Sequence, residues 1–109
     1  MPDDHLGGFE HLVILALMRL GEDAYGVTIR QEIEACTRRE VSLGAVYATL
    51  DRLERKGYVK SHLGEPTAER GGRSKRFFRV TSAGKAVLKR THAALSRLTE
   101  GLDLIRGVL

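Results

Sequence analysis

Cysteine is nearly absent from this sequence, with Cys36 standing alone. That excludes an intrachain disulfide and any cysteine-based zinc cluster. Histidine is sparse as well. His5, His11, His62 and His92 are scattered and share no metal-ligand spacing, so neither metal nor cofactor is expected. Long apolar runs are lacking too. The longest, Leu12 to Met18, has seven residues, against the ~20 needed to span a bilayer. The chain starts on acidic Asp3 and Asp4, not on the basic segment of a secretory leader. A cytoplasmic setting without membrane contact is the expectation. Catalytic constellations are missing as well. There is no nucleophile–base pair, no glycine loop with phosphate-binding spacing and no carboxylate pair set in a loop, so no enzyme is expected.

The residues present describe one domain. At 109 residues, 42% hydrophobic and 29% charged, the chain falls in the soluble globular range. Its net charge of +4 hides an asymmetry. Residues 1–54 carry five basic and ten acidic side chains, whereas residues 55–109 carry thirteen basic and four acidic. A basic surface confined to one part of a domain points to a polyanionic partner.

Periodicity predicts three short helices, two strands and a long terminal helix. The first helix runs from about Phe9 to Leu20, with Phe9, Leu12, Val13, Ala16, Leu17 and Leu20 on one face. Ile14, Leu15 and Met18 make it apolar nearly all round, so part of it is expected to meet a second chain. The second runs from about Gly26 to Arg38, and Cys36 reads as a small core residue on its apolar stripe. The third starts at an N-cap, Ser42, and stops before Gly57. Leu43, Val46, Leu50 and Leu53 form its inward stripe. Its outward face reads Gly44, Ala45, Ala48, Thr49 and then Arg52, small and then basic, as groove insertion requires. An ordinary surface helix rich in alanine fits that face equally well.

Tyr58–Leu63 and Lys75–Thr81 alternate as strands of a hairpin. Between Arg70 and Arg79 stand five cations (Arg70, Arg73, Lys75, Arg76 and Arg79) and no acid. The terminal helix opens at Thr81 or Ser82 and is expected to run to the C-terminus. Leu88, Leu95, Leu102 and Leu109 recur every seven residues, with Thr91, Leu98 and Ile105 between them, an a/d pattern that calls for a partner helix. Gly101 and Gly107 weaken its last turns by ~1 kcal/mol each.

Helix–helix–helix–strand–strand is the order of a winged helix. The fold class expected is mainly α (α+β), a winged helix-turn-helix over residues 1–81 with a long dimerisation helix over 82–109. The chain here resembles the PadR-like transcriptional regulators, specifically the short branch with one terminal helix. The resemblance rests on Leu12-Val-Ile-Leu-Ala-Leu17, on Ala24-Tyr25-Gly26, on Val41-Ser-Leu-Gly-Ala-Val-Tyr-Ala-Thr-Leu50 continued through Leu53 and Gly57 to Val59, and on Arg73-Ser-Lys-Arg-Phe-Phe-Arg-Val-Thr81-Ser-Ala-Gly84. MarR-like regulators share the layout but match these residues less well. Where the family commonly has proline, this chain has Asp23, Ala24 and Ala48. It also lacks the tryptophan around which some short members bind flat ligands.

The resemblance implies a homodimeric repressor binding a palindromic operator in double-stranded DNA. The third helix would enter the major groove and the Arg70–Arg76 segment would meet backbone or minor groove. It implies that Tyr47 reaches DNA, against a role in core packing, and that Ser42 contacts phosphate while capping its helix. The DNA-binding candidates are therefore Ser42, Gly44, Ala45, Tyr47, Ala48, Thr49, Arg52, Arg70, Arg73, Lys75 and Arg76. The dimerisation candidates are Phe9, Leu12, Leu88, Leu95, Leu98, Leu102 and Ile105. A small-molecule effector stays open. The competing reading is a winged-helix docking module without specific DNA readout, which has no need of unopposed cations beside a small-faced helix.

Overall fold

The structure is a computed structural model that describes residues 5–65 and 75–102. Helix α1 spans Gly8–Leu20, α2 Gly26–Thr37 and α3 Leu43–Arg55. Strands β1 (Val59–Leu63) and β2 (Arg76–Val80) follow, and α4 (Ser82–Thr99) closes the described chain. The strands pair antiparallel, with Val59 opposite Val80 and Leu63 opposite Arg76. Tyr25 adds an isolated bridge to Phe77, and the Phe78 amide donates to the Ala24 carbonyl at 2.9 Å. The entry to α2 is thereby tied to the hairpin. This is the winged helix-turn-helix order expected from the sequence.

One apolar core holds the three helices and the hairpin together. Val13, Ile14, Ile29, Val46, Leu50, Leu53, Val59, Phe78 and Val87 are its most deeply buried side chains. Burying a side chain of this size stabilises by roughly 1.5–3 kcal/mol; α3 supplies three of them, α1 two, and α2, β1, β2 and α4 one each. Ile14, which the face pattern leaves out, is fully buried, whereas Leu15 and Met18 lie exposed on α1.

Local chemistry sets the helix boundaries. The Ser42 Oγ accepts from the Ala45 amide at 3.0 Å, as an N-cap should. The Thr28 hydroxyl accepts the Tyr25 amide at 3.0 Å and donates to the Asp23 carbonyl, fixing the start of α2. Thr81 Oγ1 accepts from the Gly84 amide at 3.1 Å and donates to the Gly57 carbonyl at 2.7 Å. Gly84 sits so close to the Tyr58 carbonyl and Val80 that a Cβ there would collide with both. The Thr-x-x-Gly segment therefore docks the first turn of α4 directly on the turn that ends α3.

Three expectations need correction. Thr49 does not face outward; it is buried with Val46, Leu50 and Leu53. Positions 46, 49, 50 and 53 are the i, i+3, i+4, i+7 set of one helical face, and Leu43 lies only partly buried at its margin. Cys36 is exposed, not in the core, because its side of α2 faces the open groove beside Leu15 and Met18 of α1. The terminal helix stops at Thr99. Gly101 takes φ +79°, a left-handed conformation suited to glycine, and the Leu102 amide turns back to the Thr99 carbonyl. Leu102 thus lies beyond α4, and Ile105 and Leu109 lie outside the described residues.

Candidate nucleic-acid interface

The exposed face of α3 carries Gly44, Ala45, Tyr47, Ala48, Asp51, Arg52 and Arg55. Its first two turns are small apart from Tyr47, so the backbone there can approach a partner closely. Ser42 is exposed at the end of the same helix, with its hydroxyl committed to the cap. The N-terminus of α3 therefore offers backbone amides and a positive dipole end at the surface. Tyr47 serves two purposes at once. Its ring lies over Gly26 on α2, while 37% of the residue stays open to solvent.

Carboxylates from behind the face claim several cations that the sequence offers to phosphate. Arg52 donates through Nε to Glu10 of α1 at 3.1 Å, and Lys56 donates to the same oxygen at 2.9 Å. Arg76 binds Glu54 and lies 3.5 Å from Asp51. The second Glu54 oxygen accepts from Ser61 at 2.8 Å, so this carboxylate joins α3, β1 and β2. Lys75 reaches the Tyr25 hydroxyl at 3.4 Å and sits 4.5 Å from that ring's centre. None of Arg52, Lys56 or Arg76 is removed from water: each side chain stays 40–45% exposed. Each keeps part of its charged end at the surface. Arg70 and Arg73 lie outside the described residues.

Other groups that bear on this surface carry no local signature. Arg38 and Arg39, exposed between α2 and α3, have no ion pair among the described residues. Arg38 holds φ +58° as the left-handed cap of α2, an uncommon state for a side chain of its size. Glu10 is the one buried acidic side chain among the described residues, at 5% exposure. Its burial pushes the carboxyl up, but hydrogen bonds from the Gly7 amide, Lys56 and Arg52 outweigh this and hold it below the ordinary carboxylate value. Nothing in the neighbourhood of position 10 signals partners 42 and 46 residues away.

A second surface is apolar. Leu12, Leu15, Ala16 and Met18 of α1 and Ile33 and Cys36 of α2 line an open groove of about 430 Å³. Leu15 and Met18 are 41% and 47% exposed, and Leu95 and Leu98 of α4 are 47% and 74% exposed. Phe9, Leu12 and Leu88, by contrast, pack partly against the core of their own chain. Among the described residues no cluster of His, Cys, Asp or Glu is placed to hold a metal, and no helix is long and apolar enough to cross a membrane.

A three-helix body, a two-stranded wing and a capped third helix with a small outer face define a winged helix-turn-helix protein of the DNA-binding class. The chain belongs to the PadR-like transcriptional regulator family, whose model matches residues 14–90. It is similar to an uncharacterised protein of Lysinibacillus sphaericus, 31% identical over 103 residues, covering 93% of this chain and 91% of that one. Among solved structures it resembles a PadR-like transcription factor from Bacteroides fragilis, with TM-score 0.74 and 25% identity over 89% of this chain and 88% of the other. A PadR family regulator from Eggerthella lenta superposes with TM-score 0.67 and 26% identity, over 86% and 80% of the two chains.

Proposed function

We propose that this protein is a homodimeric repressor that reads a palindromic operator through α3. The observation that carries this reading is the outer face of α3. Gly44, Ala45 and Ala48 leave its first two turns nearly bare on a helix anchored by a fully buried opposite stripe. Base edges in the major groove are accessible only to a helix that can seat deeply. Tyr47 and the amides behind Ser42 would make the first contacts. Lys75, with Arg70 and Arg73, would meet phosphate from the wing, and Arg52 and Arg76 would do so through the N–H bonds that their carboxylates leave unused.

Dimerisation would join α4 to its counterpart and to the groove on α1. Support comes from the exposed Leu95 and Leu98 and from Leu15 and Met18, large apolar side chains that the described residues leave 41–74% open to solvent. Two copies of α3 on one face of a duplex bind two half-sites about one helical turn apart, which is the geometry of a palindrome. A dimer seated on such a site blocks the polymerase, hence repression, in the cytoplasm where the promoter lies.

Selection of bound duplexes from a random pool tests the reading. An inverted repeat with half-sites spaced by about 10 bp is expected. Recovery of unrelated sequences with no common motif would leave a docking module as the better account.

A further inference from the structure

We propose that Glu10 is a positioning residue for sequence-specific binding: it fixes the angle of α3 against α1, so that α3 discriminates among DNA sequences instead of merely adhering to them. The inference rests on the reading of α3 as the helix that meets DNA.

The geometry is that of a clamp. Glu10 lies in the first turn of α1 and is 5% exposed. Its Oε1 accepts the Gly7 amide at 2.9 Å, which ties the carboxylate to the backbone of its own helix. Its Oε2 accepts from Lys56 Nζ at 2.9 Å and from Arg52 Nε at 3.1 Å. Arg52 and Lys56 are four residues apart, hence neighbours on one side of α3. Arg52 also reaches the buried Thr49 hydroxyl at 3.4 Å. One oxygen thus gathers the last turn of α3 and the residue that caps it, and the other holds the start of α1.

Apolar packing alone leaves such an angle loosely set. The Val46, Leu50 and Leu53 stripe is attracted to the core without directional preference, whereas hydrogen bonds fall off steeply with angle. Base readout depends on hydrogen-bond geometry of a few tenths of an ångström, while attachment to phosphates tolerates more. The carboxylate is buried while both cations stay half in water; a charged group kept at such a place contributes little net stability, and its best attested use is to fix register.

Two rival roles predict different outcomes. If Glu10 merely tempered positive charge, its loss would strengthen binding to all sequences equally. If it merely stabilised the fold, its loss would lower the melting temperature and leave selectivity intact. Glu10→Gln keeps the shape and an acceptor for Gly7 but presents an amide NH₂ to Arg52 and Lys56.

The test compares binding of the selected operator and an unrelated duplex of equal length, by fluorescence anisotropy over a salt series, below the melting temperature of the variant. We expect the operator-to-unrelated affinity ratio to fall at least ~10-fold, equivalent to ~1.4 kcal/mol. Affinity for the unrelated duplex should hold or rise. A ratio within about twofold of the wild type, whatever the absolute affinities, overturns the proposal. If Glu10→Gln does not fold, Lys56→Met serves instead. It removes one of the two donors to Glu10 Oε2 at a position not assigned to DNA contact, and an unchanged ratio there overturns the proposal equally. A wild-type protein that shows no preference for any duplex would instead overturn the reading of α3 itself.

Discussion

The Tyr47 ring fills the space in which a side chain on Gly26 would stand. Only hydrogen fits on that side of α2, and the ring of α3 closes over it. Gly26→Ala must displace the ring or separate the helices. Overpacking of this kind costs about 1–3 kcal/mol, read as a lower melting temperature. The double variant Gly26→Ala with Tyr47→Ala should recover most of the loss, because the two residues act through one contact. Additive losses in that cycle would show that the ring does not rest on Gly26. Operator binding should fall in both single variants, since Tyr47 is displaced in one and missing in the other.

Ala45 and Thr49 share one helix but belong to different faces. Ala45→Glu keeps helix propensity and places a carboxylate where DNA phosphates would lie. Operator affinity should fall at least ~10-fold, ~1.4 kcal/mol, with thermal unfolding nearly unchanged. Thr49→Val, buried, should do the reverse. It removes the acceptor of a long hydrogen bond from Arg52 and should shift stability by no more than about 1 kcal/mol, leaving base preference as it was. A base-preference change in Thr49→Val would mean that the inner and outer faces are wrongly assigned.

Leu95 and Leu98 stand in water in the single chain, 47% and 74% exposed. Neither belongs to the buried core among the described residues, so replacing both with Asp leaves that core intact. Sedimentation equilibrium should report a folded monomer for this variant against a dimer for the wild type, with far-UV circular dichroism retained. A variant that still sediments as a dimer would remove α4 from the interface.

His11 on α1 lies near His92 on α4. Burial lowers the His11 pKa, and repulsion from His92 lowers it further. The unfolded chain consequently binds a proton at His11 more readily than the folded one. Stability should fall as pH drops through the ordinary histidine value toward the lowered one. Melting temperatures measured from about pH 8 to pH 5 should show this loss. It should shrink in His11→Gln, and the His11 titration midpoint in His92→Gln should move up by NMR. An unmoved midpoint would separate the two rings electrostatically.

Features written in short stretches of chain were legible in advance. The Ser42 cap and the start of α2 at Gly26 are local chemistry, and both stand where expected. The stripe on α3 was half legible. Leucine at 43 looks more apolar than threonine at 49, yet geometry buries position 49 and leaves 43 at the edge. Cys36 misled for a similar reason: a helical stripe gives a direction but not whether a neighbour covers it. The heptads of the last helix continue through Gly101, although the backbone turns there. The Glu10 and Glu54 clamps were illegible because each joins residues distant in the chain, and only the folded arrangement makes a carboxylate in α1 a neighbour of cations in α3.

The contact of Gly84 with the Tyr58 carbonyl has a consequence for operator length. Helix α4, 18 residues or about 27 Å long, is seated on the winged body from this joint through the buried Val87 and Thr91, and only its last two turns extend past it. In the proposed dimer, the distance between the two reading heads follows from the angle at which α4 departs. A small change in that seat is carried outward along the turns that bear Leu95 and Leu98. In that dimer a substitution at the root of α4 would change the half-site spacing while leaving the outer face of α3 as it is.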